Sequence, residues 1–232
     1  MAEFIIYLEP TKNSVLWTQV QAYFEASQSY LWAQNEAARY PAHITMVGFF
    51  TIPTTSVFAS ASEATTPINE TDTIVDKLIS SVTQRINSSD SVFIAETTLV
   101  QGLVRPSPDS LLIAIQPSPM LLDWAQALKD AFPELELRLK KTNHLSLCYW
   151  IGQEAIPENG IRAEEVFVQH SRWTDQAEQL ARSVIPLMQG MTGASMGVVN
   201  NSWDIVLYTI HNRDRSCPQP YPLVEVQRWT LA

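Results

Sequence analysis

Apolar and polar positions along the chain follow two rhythms, and each change from one to the other marks an element. Residues 4–8 (Phe-Ile-Ile-Tyr-Leu) form a short apolar run closed by Pro10, the pattern of a strand. Over 13–39, Val15, Leu16, Val20, Tyr23, Phe24, Leu31 and Ala38 recur at helical spacing behind Asn13 or Ser14 as cap, and Pro41 closes the pattern. Residues 43–50 are β-rich. The Thr-, Ser-, Ala- and Pro-dense stretch 51–68 has no period and predicts a loop. Helical spacing returns over 69–86 through Ile74, Leu78, Val82 and Ile86. Strands over 92–104 and 111–115 flank a turn at 105–109 (Arg-Pro-Ser-Pro-Asp). A helix over 120–132 stops at Pro133, and a strand covers 144–151. Then come a helical stretch over 163–188, a Gly-, Ser- and Asn-rich loop over 189–202, and strands over 203–210 and 221–231.

Strands and helices mix here without the strict alternation of a doubly wound parallel sheet. The expected class is α+β, with antiparallel sheets and helices packed on one face of each. The two halves are alike, each holding a strand that starts at a histidine and is flanked by helices. Residues 1–232 are expected to form one domain of two lobes, and 46% apolar composition supplies a sizeable core.

Charge narrows the partners. The net charge is −9, whereas a protein that grips a long polyanion carries a basic stripe. No long nucleic acid is expected as a partner, and a small molecule or a short oligonucleotide end suits this balance. Cys148 and Cys217 lack metal-type spacing and predict a reducing compartment. The first ten residues lack the basic start and long apolar run of a signal peptide, and no segment reaches the ~20 apolar residues of a membrane span. A cytoplasmic (or nuclear) monomer without a membrane partner is the expectation.

Four histidines occur, and two share a local frame. The first is Pro41-Ala42-His43-Ile44-Thr45-Met46; the second is Thr142-Asn143-His144-Leu145-Ser146-Leu147. Each reads histidine, aliphatic, hydroxyl, apolar at the head of an apolar strand. In a strand, side chains two apart share a face, so His43 pairs with Thr45, and His144 with Ser146. A histidine has about one chance in eight of a Ser or Thr two places on at average usage, so one such match is unremarkable. Two in matching apolar frames are a signal. An imidazole with a pKa near ~6.5 can take or give a proton around neutrality, and hydroxyls can donate to non-bridging phosphate oxygens. That equipment suits hydrolysis of a strained cyclic phosphodiester with no cofactor.

The double motif resembles that of the two-histidine phosphoesterase superfamily, over essentially the whole chain. Pro-Ala-His43-Ile-Thr45 and Asn-His144-Leu-Ser146-Leu-Cys-Tyr149 are most similar to the fungal and plant cyclic nucleotide phosphodiesterases. The resemblance implies two lobes of antiparallel sheet with outer helices around a cleft, with His43 and His144 as catalytic residues and Thr45 and Ser146 binding the phosphate. The implied substrates are nucleoside 2′,3′-cyclic phosphates, opened to the 2′-phosphate, and ADP-ribose 1″,2″-cyclic phosphate, a tRNA-splicing by-product. Tyr149 matches an aromatic that follows the second motif in relatives, and the resemblance implies that it contacts the substrate. Reaching the cleft face requires a bulge, since its parity is otherwise wrong.

Within this mechanism His144 is assigned as base towards water and His43 as acid. A linear RNA-end or 2′,5′-oligonucleotide phosphodiesterase, and a non-catalytic nucleotide-binding module, stay open as alternatives. Arg138, Lys140 and Lys141 read as a solvated strand edge that can also attract phosphate. Trp150 and Trp203 read as core, Cys148 as a small cleft-face neighbour of Ser146, and His170 and His211 as surface residues.

Overall fold

A computed structural model of the protein describes residues 2–30, 35–52, 70–87, 99–107, 109–149, 163–185, 202–210 and 223–231. In chain order these form β1 (Ala2–Pro10), α1 (Val15–Tyr30), β2 (Ile44–Ile52), α2 (Glu70–Asn87), β3 (Leu99–Ser107), β4 (Ser110–Gln116), α3 (Pro119–Ala131), β5 (His144–Tyr149), α4 (Ala163–Val184), β6 (Trp203–Ile210) and β7 (Leu223–Leu231). Short 3-10 turns cover Glu36–Arg39 and Pro133–Leu135. The class is α+β, with two sheets, both antiparallel. The first sheet has the order β2-β1-β6-β7 and the second β3-β4-β5. The sheets do not split the chain into sequential halves. The first takes strands from both ends, and the second takes the middle.

Local patterns explain the elements. In β4, Leu111, Ile113 and Ile115 are buried while Leu112 and Ala114 are half-covered, the alternation of a strand with one face on the core. Helix α3 buries Leu121, Trp124, Ala125 and Leu128, spaced by three and four. Its cap is Ser118, whose hydroxyl accepts from the Leu121 N–H (3.1 Å), with Pro119 in the first turn. One buried cluster joins both sheets: Phe4, Ile6, Leu8, Ile205 and Leu207 from the first, Ile113, Ile115 and Leu145 from the second. Helix α2 covers the first sheet at β7, where Trp229 Nε1 donates to Thr83 Oγ1 (2.9 Å). Helix α4 packs on β4 and β5 and against α1.

Several boundaries differ from the sequence expectation. The helix expected over 13–39 ends at Tyr30, and Asn35 then caps a separate 3-10 turn. The expected turn at 105–109 begins too early. Strand β3 continues through Arg105 and Pro106 to pair Ser107 with Ser110. Pro106 is tolerated on this edge strand, where a missing N–H costs no ladder bond. Of the loop expected over 51–68, Thr51 and Ile52 instead finish β2, because they continue its pairing with β1. The rest of it, residues 189–201 of the loop expected over 189–202, and Trp150, Cys217 and His211 lie outside the described residues.

The sheets meet along β2. On one edge β2 pairs with β1; on the other, Lys140 N–H donates to Met46 O and Gly48 N–H to Arg138 O, both at 2.9 Å. The 138–140 segment therefore extends the first sheet and, four residues on, enters the second as β5. Ile113, at the centre of the second sheet, is wholly buried. Replacing it with Ala is expected to cost about 2–5 kcal/mol, read by chemical denaturation. A loss below about 1 kcal/mol would separate the second sheet from the common core.

Candidate active site

Each histidine motif sits at the head of a strand, on a different sheet: His43 immediately before β2, His144 as the first residue of β5. Register sets the faces. Ile44 pairs with Leu8 on the core side, and Thr45 pairs with Tyr7. The His43 ring stacks on Tyr7, with centroids 3.8 Å apart and planes 20° apart, and meets Tyr40 edge-on at 5.7 Å. His43, Thr45 and Tyr7 thus share one face of the first sheet. The same face continues through Val206, opposite Tyr7, to Arg228, opposite Val206.

In the second motif, His144 lies opposite Ala114, and Ser146 opposite Leu112, while Leu145 pairs with Ile113 towards the core. One residue later the register shifts: Leu112 faces Ser146 and Leu111 faces Cys148, leaving Leu147 as the extra residue of a bulge. Two consequences follow. Cys148 turns inward with Leu111 and is wholly buried, which corrects its expected place on the cleft face. It abuts Tyr23 of α1, and burial pushes its thiol up to about 12, which removes it from thiolate chemistry. Tyr149, opposite Ser110, falls on the face of His144 and Ser146, where unbroken alternation would not have put it.

The two imidazoles are tied by the same atom. His43 Nδ1 lies 2.6 Å from Pro41 O; a carbonyl can only accept, so Nδ1 carries the proton and Nε2 has the lone pair. His144 Nδ1 lies 3.0 Å from Asn143 Oδ1, which leaves its Nε2 available too. Burial lowers the His43 pKa to about 4; the Pro41 carbonyl works against that drop, and the nearby His144 adds to it. The rings are therefore close enough for the charge of one to act on the other. His144 is exposed, and its pKa is lowered by partial burial. Tyr149 and Tyr40 act in the same way on the Tyr7 phenol, which burial foremost keeps protonated.

Beside Tyr7 the same face carries a charged network. Arg228 bridges Glu9 and Asp204, both at 2.8 Å, and also meets Glu225 at 2.9 Å. Tyr208, whose ring lies 5.7 Å from that of Tyr7, donates its hydroxyl to Glu9 (2.8 Å). Burial raises the Glu9 pKa, against which Arg228 and Tyr208 both act. With three carboxylates around it, the Arg228 guanidinium is committed within the sheet. Sequence reading missed Tyr7, Tyr40 and this network. The usable signal was Tyr7 and Glu9 two apart in an otherwise apolar strand.

Arg138, Lys140 and Lys141 are exposed, and their segment forms the bridge to β2 described above. Trp203 is wholly buried, in keeping with a core role. His170 falls within α4. Among the described residues no group of three His, Cys, Asp or Glu could hold a metal ion. Compared with protein-family models and with curated proteins, the chain matches none.

The depressed His43 pKa couples to stability. Between about pH 6.5 and about 4 the unfolded chain binds more protons than the folded one. The contribution is thus complete above pH 6.5 and is lost as pH falls through about 4, by at most about 3 kcal/mol given that the ring is part-exposed. His43→Gln should flatten stability against pH over that window, and NMR titration should place His43 below His144. A His43 midpoint near 6.5 would contradict the part-buried, neutral imidazole.

Proposed function

We propose that the chain is a phosphodiesterase of the two-histidine kind, with one domain of two lobes, that opens a small cyclic phosphodiester by hydrolysis. One observation carries the reading. Two imidazoles from different sheets stand within electrostatic reach of each other, each bound through Nδ1 to an oxygen and each followed by a hydroxyl on its own face. Such a pair supplies a base and an acid to opposite sides of one phosphorus, and Thr45 and Ser146 supply neutral donors to its non-bridging oxygens.

In this reading water attacks phosphorus as a P–O bond forms, its proton passing to one Nε2. The bond to the leaving ribose oxygen breaks as the other Nε2–H protonates it. For a nucleoside 2′,3′-cyclic phosphate the product is the 2′-phosphate; ADP-ribose 1″,2″-cyclic phosphate is the second candidate substrate. The role assignment reverses the sequence expectation. His43, which burial keeps neutral, is the base. His144, on the exposed strand end, is more easily protonated and is the acid, helped by a phosphate anion bound beside it. The site needs no cofactor for these steps. No helix among the described residues is long and apolar enough to cross a membrane. A cytoplasmic monomer is part of the proposal.

Hydrolysis of adenosine 2′,3′-cyclic phosphate in EDTA tests the reading. Wild type should turn over, and His43→Ala and His144→Ala should each lose roughly 10²–10⁴ in kcat. Turnover of a linear dinucleotide with none of the cyclic substrate would favour RNA-end cleavage. Binding of both without turnover would favour a nucleotide-binding module.

The two roles separate by pH. The wild-type kcat/KM should peak between about 4 and 6.5, falling on the acid side as His43 protonates and on the alkaline side as His144 loses its proton. Residual activity of His43→Ala should lack the acid limb, and that of His144→Ala the alkaline limb. The converse pattern would restore His144 as base.

A further inference from the structure

One buried side chain outside the motifs ties β5 to the turn that leads into His43. Asn35 is 3% exposed. Its Oδ1 accepts from Ala37 N–H at 3.1 Å and caps the 3-10 turn Glu36–Arg39. Its Nδ2 donates to Leu147 O at 3.0 Å, and the same Oδ1 lies 3.4 Å from Tyr149 N. These last two groups flank the bulge in β5. A bulge takes backbone groups out of the ladder, and a buried backbone group without a partner is costly, so an amide with one donor and one acceptor to offer there completes the strand. The turn that Asn35 caps runs directly into Tyr40, whose edge meets His43, and Pro41, whose carbonyl holds His43 Nδ1.

We propose that Asn35 is a positioning residue for this site: a single amide clamps the β5 bulge that puts Tyr149 on the face of His144 and Ser146, and anchors the turn that delivers Tyr40, Pro41 and His43. The proposal rests on the two-histidine reading for its activity readout but not for its structural one. Asn35 touches no reacting atom. It acts through the placement of Tyr149 on one side and of the His43 ring on the other. Asn suits the task better than its neighbours in chemistry. Asp keeps the cap but turns an acceptor against Leu147 O, and Ala leaves both sides of the bulge open.

A double-mutant cycle tests the clamp. Asn35→Asp and Tyr149→Ala, singly and together, are compared for kcat and KM on adenosine 2′,3′-cyclic phosphate, with melting temperature followed in parallel. Asn35→Asp retains the turn cap, so the fold should survive; kcat should fall by about tenfold or more, in line with the cost of small misplacements in active sites. In the Tyr149→Ala background the same substitution should cost clearly less, because the residue it places is gone. Equal losses in both backgrounds would overturn the clamp.

The second readout needs no turnover. In Asn35→Ala, which removes the acceptor of the Tyr149 N–H as well as the donor to Leu147 O, hydrogen exchange at the Tyr149 amide should quicken, and the His43 NMR titration should move up towards ordinary imidazole values as water reaches the ring. Both unchanged would overturn the proposal even if the wild type proves active. Both changed in a protein without hydrolase activity would uphold the clamp while sinking the assigned reaction.

Discussion

The bridge between β2 and the 138–140 segment sets where everything else in the site can be. Two backbone hydrogen bonds, from Lys140 to Met46 and from Gly48 to Arg138, hold together two stretches nearly a hundred residues apart. Neither is individually strong, since a backbone bond contributes about 1 kcal/mol net. Their weight is geometric. Met46 lies three residues after His43, and Lys140 four before His144, so fixing the first pair fixes the second to within a few residues of extended chain. Leaving Met46 out of step with β1 gives its carbonyl a partner in the incoming segment. The irregularity in β2 and the junction of the sheets are thus one feature.

Around that junction the site is built from departures from regular strand geometry. A regular β5 would place Cys148 beside Ser146 and turn Tyr149 inward; the Leu147 bulge exchanges them. Burying a thiol and a leucine while turning a tyrosine outward also suits their hydration, because a phenol keeps a polar tip that the core would strand. On the other sheet, Tyr7 gives His43 a flat support, and Tyr208 and the Glu9–Arg228 pair hold that support from behind. Locked in this way, an imidazole would lose little rotamer freedom in binding the proposed substrate, which is the physical content of preorganisation.

How much of this could be read from the residues depended on range. Strand 203–210, the helix near 120–132 and the four polar members of the motifs come from local rules, and the structure puts His43 with Thr45, and His144 with Ser146, on shared faces as period two requires. Local rules failed where a distant partner decides. Cys148 was misplaced because parity counting assumes an unbroken strand, and the group that sustains the break is Asn35, 112 residues away. The same residue caps the 3-10 turn Glu36–Arg39, within the stretch 13–39 where the apolar spacing predicts one helix.

Electrostatics were the least legible part, and they bear most on the chemistry. From sequence the two motifs look interchangeable, each an imidazole two residues ahead of a hydroxyl. The fold makes them unequal. One ring is enclosed by Tyr7 and Tyr40 before a stretch of core; the other stands at an exposed strand head. Because burial penalises only the charged form, enclosure alone pushes the two protonation equilibria apart. In the proposed reaction, a pair that must hold one proton between them then has a preferred place for it, and near-identical motifs would take opposite roles without any difference in their own residues.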